Sequence, residues 1–179
     1  MDFFESAIKT ILEDQGLWVM SSFKVELTKD EKAQIGRPTI PRPEIDLIAF
    51  DFAKNTVTAW EVKSFLDSGG VKIKELEERF EIPSGRYKLF TCQNYRDVVF
   101  ARLKKQLIAS NRISKSTLIN LGLAAGNVAR NRSEELRLYL KRCNFEFLSP
   151  EEIKANVRNF ANKGYENDPT ILAAKILLK

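Results

Sequence analysis

Two carboxylates and a lysine occur in two successive β-forming runs of the chain: Asp46 in the first, and Glu61 and Lys63 in the second. Each has apolar, β-forming neighbours: Asp46 within Glu-Ile-Asp-Leu-Ile-Ala-Phe, and the other two within Trp-Glu-Val-Lys. Two adjacent carboxylates repel each other unless a cation lies between them, and their oxygens are ligands that Mg²⁺ or Mn²⁺ accepts. A lysine beside such an ion can orient or deprotonate a water, or stabilise negative charge on a phosphate. These residue types predict metal-dependent hydrolysis of phosphodiesters.

A hairpin would bring the three residues together. Two β-forming runs, 45–52 and 56–63, are separated by a link of hairpin size. Folding the chain at this link makes the numbers of paired residues sum to about 108, within one residue of register. Asp46 then lies across from Glu61 and Lys63, which share one face because side chains alternate along a strand.

The competing interpretation is a half-exposed hairpin that carries these charges on its surface. Apolar residues on both faces of the first strand weigh against it, because they predict a central strand, in which an idle aspartate is costly. The apolar residues are Ile45, Leu47, Ile48, Ala49 and Phe50.

The motif Pro43-Glu44-Ile45-Asp46, a gap of 14 residues and then Glu61-Val62-Lys63 resembles the PD-(D/E)XK nuclease superfamily, and looks most like its resolvase and restriction-enzyme branches. The resemblance covers roughly residues 2–110, with the order helix, strand, hairpin, helix, strand. It implies an α/β fold with a restriction endonuclease-like core. The hairpin that carries the site would belong to a mixed central sheet, with helices on both faces.

The resemblance also implies roles for individual residues. Asp46 and Glu61 would be metal ligands, the carbonyl of Val62 a further ligand, and Lys63 the catalytic lysine. The family pattern places the acidic residue directly after the proline, and here that residue is Glu44. Glu44 and Asp46 share a strand face, so both stay open as ligands. Asp46 is favoured because it lies deeper in the strand between apolar residues.

Many members of the superfamily supply another glutamate from the first helix. Glu5 lies at the edge of that helix's apolar stripe and is the candidate for this auxiliary acid. Glu13, near the end of the same helix, is the less favoured alternative.

The composition narrows the chemistry. The 179 residues include no histidine, which excludes Ser-His-Asp and Cys-His mechanisms and any histidine-ligated metal site. Cys92 and Cys143 form no CxxC pair, which argues against a zinc cluster or a disulfide framework. No apolar run approaches the roughly 20 residues that span a bilayer, and the first residues lack the features of a signal peptide. We therefore expect a cytoplasmic protein without a membrane partner.

Basic residues concentrate in one part of the chain. Residues 84–142 contain 13 Lys and Arg against 3 Asp and Glu, a balance of +10, so the other residues carry −5 of the total of +5. This split predicts DNA as a partner, with RNA left open, although solvated helix faces explain it equally well. The candidate nucleic-acid contacts are Arg42, Lys72, Arg96, Arg102, Lys104 and Lys105.

Periodicity and cap residues predict the order of elements. Three prolines, Pro38, Pro41 and Pro43, make the segment 28–43 a predicted loop. Helices are predicted over 2–14, 71–80, 97–110, 133–142, 150–161 and from Asp168 to the last residues, and strands over 17–27, 45–52, 56–63, 86–92, 117–125 and 145–148. We interpret 1–110 as the nuclease-like core and 111–179 as an α/β extension packed on it.

The expected function is therefore a Mg²⁺-dependent (or Mn²⁺-dependent) deoxyribonuclease of the endonuclease type. A homodimer is plausible, since many such enzymes cut two strands as symmetric pairs. The alternative is a non-catalytic nucleic-acid-binding or assembly subunit on the same fold, and a third interpretation is a plain protein-interaction domain. An intact triad favours the enzyme, because chemistry alone requires all three groups.

Overall fold

The computed structural model describes residues 2–178, and a five-stranded sheet in the order β1-β2-β3-β4-β5 forms its centre. The first three strands are antiparallel, whereas β4 runs parallel to β3 and β5 runs parallel to β4. The sheet is therefore mixed, as predicted. The strands are β1 Trp18–Lys24, β2 Glu44–Asp51, β3 Thr56–Lys63, β4 Leu118–Ala125 and β5 Glu146–Leu148.

Eight α-helices surround the sheet within the described residues. Three of them begin with a capping box, in which the cap side chain and a glutamate each accept a hydrogen bond from a backbone N–H. The helices are α1 Phe3–Asp14, α2 Lys29–Gln34, α3 Ile73–Glu77, α4 Lys88–Thr91, α5 Gln93–Ala109, α6 Ser133–Arg142, α7 Pro150–Ala161 and α8 Pro169–Leu178, and a single 3₁₀ turn covers Ala129–Asn131.

Alternation along the strands divides the core into two layers. On one face, residues such as Ile48 and Ala59 pack with Leu103 of α5 and with α6. On the other face, residues such as Leu47 and Trp60 pack with α1, α7 and α8. Helices therefore cover both faces of the sheet, which confirms the predicted α/β layering.

Residues on both sides of position 110 share this sheet and its core. β4 lies between β3 and β5 in the sheet. Leu121 of β4 and Leu136 of α6 belong to the same buried cluster as Ile48 and Leu103.

Two segments differ from the sequence prediction. The predicted loop 28–43 begins with helix α2, because Thr28 and Glu31 form a capping box before the prolines are reached. The predicted strand 86–92 is wrong: residues 88–91 form the helical turn α4, whose Thr91 N–H donates to the carbonyl of Tyr87 at 2.9 Å. A short apolar run does not distinguish a strand from a buried helical turn.

Other predicted boundaries move less. β1 ends at Lys24, and the helix expected over 71–80 is limited to α3. The predictions for β4, β5, α6, α7 and α8 are confirmed to within a residue or two. No helix in residues 2–178 has the length and apolar composition that a membrane span needs.

Candidate active site

The hairpin of β2 and β3 places Asp46 beside Glu61. Leu47 pairs with Trp60, so the next position along the strands sets Asp46 opposite Glu61, one residue from the predicted register. The regular pairing ends there. The Val62 N–H donates to Oδ2 of Asp46 at 2.8 Å, so a side chain takes the place of a strand carbonyl.

Lys63 joins the two carboxylates. Its Nζ lies 2.5 Å from Oε1 of Glu61 and 3.8 Å from Oδ2 of Asp46. All three side chains are about one-fifth exposed, at 17% for Glu61 and 22% for the other two. The structure thus brings together the three residues that the sequence singled out, in a place that solvent reaches.

The surroundings of Asp46 disfavour its negative charge. Burial is the main cause that raises the pKa of Asp46, and the charge of Glu61 raises it further. The Val62 N–H and the Lys63 ammonium oppose this rise, while Glu44 adds to it. A cation beside Asp46 would oppose this rise in pKa, because a nearby positive charge favours the ionised carboxylate.

The other acidic candidates lie differently. Glu5 completes the capping box of α1, where its carboxylate accepts the Asp2 N–H at 3.2 Å. The apolar residues of α1 pack with Trp60 and Val62, on the sheet face opposite that of Glu61 and Lys63. Glu13 lies 3.7 Å from Lys9, and Glu44 is exposed at the start of β2. Within residues 2–178, no three Asp, Glu, Cys or His side chains form a group that could hold a metal ion.

A cleft of about 210 Å³ opens beside Glu61. Tyr95 lines it, and burial together with the charge of Glu61 raises the pKa of Tyr95 to about 12. The Tyr95 hydroxyl is therefore protonated at neutral pH. Further charged residues around the cleft are Glu44, Arg42, Arg86 and Lys88.

Arg86 and Lys88 were not among the predicted site residues. The sequence predicts a strand over 86–92, whereas the structure has a helical turn at residues 88–91. The Arg-Tyr-Lys sequence directly after the Pro-Ser-Gly turn was the available signal. A turn followed by a short helix brings both side chains to the cleft of Glu61.

Two of the predicted nucleic-acid contacts are engaged within the protein. Arg102 forms a two-pronged ion pair with Glu31, at 2.9 and 2.8 Å, which lowers the pKa of Glu31. Arg96 donates to the Leu89 carbonyl at 2.8 Å and lies over the ring of Phe145. Both arginines join elements of the fold.

The remaining four candidates are more accessible. Arg42 lies 2.7 Å from Glu26, and Lys72 lies 3.3 Å from Glu75. These two pairs are exposed, so each contributes little stability and is easily exchanged. Lys104 is half-buried and Lys105 is exposed, both on α5.

Comparison of the chain with protein-family models, with curated proteins and with solved structures finds no match. The resemblance to the PD-(D/E)XK superfamily therefore rests on the sequence motif alone.

Proposed function

We propose that the protein is a Mg²⁺-dependent or Mn²⁺-dependent endonuclease that hydrolyses DNA, with Asp46, Glu61 and Lys63 at its centre. The observation that carries this proposal is the contact of one lysine with two carboxylates from neighbouring strands. These groups lie at the open end of a hairpin, beside a cleft with basic walls. A restriction endonuclease-like core is part of the same proposal.

The two carboxylates are suitable ligands for a hard divalent ion. Burial is the largest cause of the raised pKa of Asp46 and repulsion from Glu61 is the next, and a cation would relieve that repulsion. Mg²⁺ is often bound through one or two carboxylates, with waters and substrate phosphate completing its shell, so a third acidic side chain is not required. The Val62 carbonyl is a further candidate ligand. The N–H and C=O of a strand residue point toward the same neighbouring strand, and the Val62 N–H already donates to Asp46.

When bound, the ion would polarise a phosphodiester and lower the pKa of a coordinated water. The protein's own groups would complete the site. Lys63 holds a positive charge next to both carboxylates, where it would stabilise negative charge that develops on a phosphate. Tyr95 keeps its proton near Glu61 and would donate a hydrogen bond there.

A second candidate is a non-catalytic nucleic-acid-binding or assembly subunit. The observation that favours it is the lack of a third acidic side chain at the pair, within residues 2–178. Glu5, the expected auxiliary acid, engages the backbone at the start of α1. Such a subunit would bind nucleic acid but would not cleave it in the presence of either metal.

A cleavage panel separates the two candidates. Single-stranded, duplex and branched DNA and single-stranded RNA are incubated with Mg²⁺ or Mn²⁺, using the wild type, Glu61→Gln and the control Asp51→Asn. We expect the wild type and Asp51→Asn to cut DNA internally, and Glu61→Gln to lose at least about 100-fold in rate. If the wild type cuts no substrate, or Glu61→Gln cuts as fast, the nuclease proposal fails. Sizing by light scattering then tests whether the active form is a homodimer.

A further inference from the structure

Three neighbouring clefts share residues along one side of the protein. The first, beside Glu61, is lined by Arg86, which also lines a second cleft of about 290 Å³. Lys72 lines the second cleft and a third of about 190 Å³. The shared residues place the three clefts side by side, in a row that begins at Glu61. We call it the basic groove, after its cationic residues Arg42, Arg86, Lys88, Lys72, Lys74, Arg130 and Arg132.

The groove carries an excess of positive charge. Its seven cations face four lining carboxylates, Glu44, Glu61, Glu75 and Glu78. Two clefts at the turn end of the hairpin differ: one is lined by Asp51, Lys54 and Glu146, and the other by Asp51 and Arg112. The positive charge therefore belongs to this groove and is not a general property of the surface clefts.

Several of the cations are available to a ligand. Within residues 2–178, Lys74, Arg86, Lys88 and Arg130 have no ion pair with a carboxylate. Arg132 pairs with Glu135 and Lys72 with Glu75, on exposed side chains. Exposed pairs contribute little stability, so phosphate groups can replace their carboxylates.

The backbone holds the far end of the groove in place. Val71 and Val128 form an isolated bridge, with the Ala129 N–H donating to the Val71 carbonyl at 2.9 Å. Gly70 has a φ of +76°, and a Cβ there would lie 2.7 Å from the Ala129 nitrogen, so only glycine allows this approach. The bridge sets Lys72 and Lys74 next to Arg130 and Arg132 before any ligand arrives.

We propose that the basic groove binds the phosphodiester backbone of DNA and leads it to Glu61. Phosphate contacts from lysine and arginine supply most of the affinity for nucleic acid and do not depend on sequence. Helix α5, which carries four of the predicted contacts, is less suited because two of them, Arg96 and Arg102, hold the fold together. Only the statement that the strand is cut at Glu61 rests on the proposed function, since binding along the groove requires no cleavage.

The experiment compares two double charge reversals of equal size. Lys74→Glu/Arg130→Glu changes the groove, and Lys154→Glu/Arg158→Glu changes two exposed cations of α7, whose apolar residues pack on the other face of the sheet. Dissociation constants are measured by fluorescence anisotropy with duplex and single-stranded DNA of about 30 nucleotides, in EDTA, at several salt concentrations near 100 mM. Circular dichroism confirms folding, and the milder Lys74→Gln/Arg130→Gln pair replaces the groove variant if it does not fold.

We expect the groove variant to bind at least one of the two DNAs about 10-fold or more weakly, with a salt slope smaller by about 2. The α7 variant should stay within about twofold of the wild type. The proposal is overturned if the groove variant binds like the wild type, if both variants weaken equally, or if the wild type binds neither DNA. Because EDTA removes the metal, loss of cleavage in the panel above would leave this result intact.

Discussion

The β2–β3 hairpin has an aspartate in contact with a lysine near each end, and the two ends have opposite electrostatics. At the turn, Lys54 lies 2.9 Å from Asp51, and this contact lowers the pKa of Asp51. At the open end, Lys63 lies 3.8 Å from Asp46, yet the pKa of Asp46 is raised. The side chains of the two aspartates expose similar fractions of their surface, at 20% and 22%, so the difference lies in the protein groups that surround each carboxylate.

The burial of Asp46 and the second carboxylate next to it explain the difference in pKa. Burial is the largest cause of the raised pKa of Asp46, and the charge of Glu61 comes next. Lys54 is 79% exposed, whereas Lys63 is 22% exposed and is shared between Asp46 and Glu61. An Asp–Lys contact alone therefore does not indicate a functional site. The proposed metal site rests instead on one lysine shared by two partly buried carboxylates, whose mutual repulsion favours a further cation.

The largest expected difference between the two ends is in catalysis. Lys63→Met removes the positive charge next to both carboxylates and should reduce DNA cleavage about 100-fold to 1,000-fold at saturating metal. Lys54→Met makes the same chemical change at the turn and should leave the rate within about twofold. Initial rates of plasmid nicking measure both. Equal rates for the two variants would remove Lys63 from the mechanism.

A smaller difference is expected in stability. Without metal, Lys63→Met leaves two close carboxylates without their shared cation and should lower the free energy of unfolding by about 1–2 kcal/mol, between the values for exposed and buried pairs. Lys54→Met should cause no measurable change, because that lysine is exposed. Urea unfolding of both variants in EDTA tests this. If Lys63→Met has the same free energy of unfolding as the wild type, the two carboxylates do not repel each other in the fold.

The smallest expected effect is in the pH dependence of stability, and its sign differs between the ends. The pKa of Asp46 is raised in the fold, so the stability it contributes is present at low pH and is lost as pH rises through the folded pKa. The pKa of Asp51 is lowered, so its contribution is present above the unfolded pKa and is lost as pH falls.

Relative to the wild type, Asp46→Asn should therefore gain stability between about pH 4 and pH 7, while Asp51→Asn should lose it. Urea midpoints of the wild type and both variants, measured in EDTA across that range, give the two slopes. Slopes of the same sign would contradict the electrostatic difference described here.

The hairpin was predictable because its signals are local. Two apolar runs and a short link determine the pairing, and alternation places Glu61 and Lys63 on one face. The register was one residue off because Asp51 pairs with Thr56, which leaves a four-residue loop in which Asn55 has a φ of 52°. The sequence does not determine the loop length to a single residue.

The walls of the cleft were less predictable because they depend on distant contacts. Arg86 and Lys88 reach the cleft only because their segment forms a helical turn, whereas its apolar residues suit a strand as well. The roles of Arg96 and Arg102 depend on Phe145 and Glu31, each far away in the sequence. Charge counting identifies a basic region but does not show which cations already have partners.

The most direct test of the central claim is a titration with Mn²⁺ followed by electron paramagnetic resonance, on the protein without DNA. We predict saturable binding of one Mn²⁺ per chain in the wild type and in Asp51→Asn, weakened at least about 10-fold in Asp46→Asn and in Glu61→Gln. Equal Mn²⁺ affinity in all four proteins, or no saturable binding in the wild type, would contradict the account of Asp46 and Glu61 as a metal-binding pair.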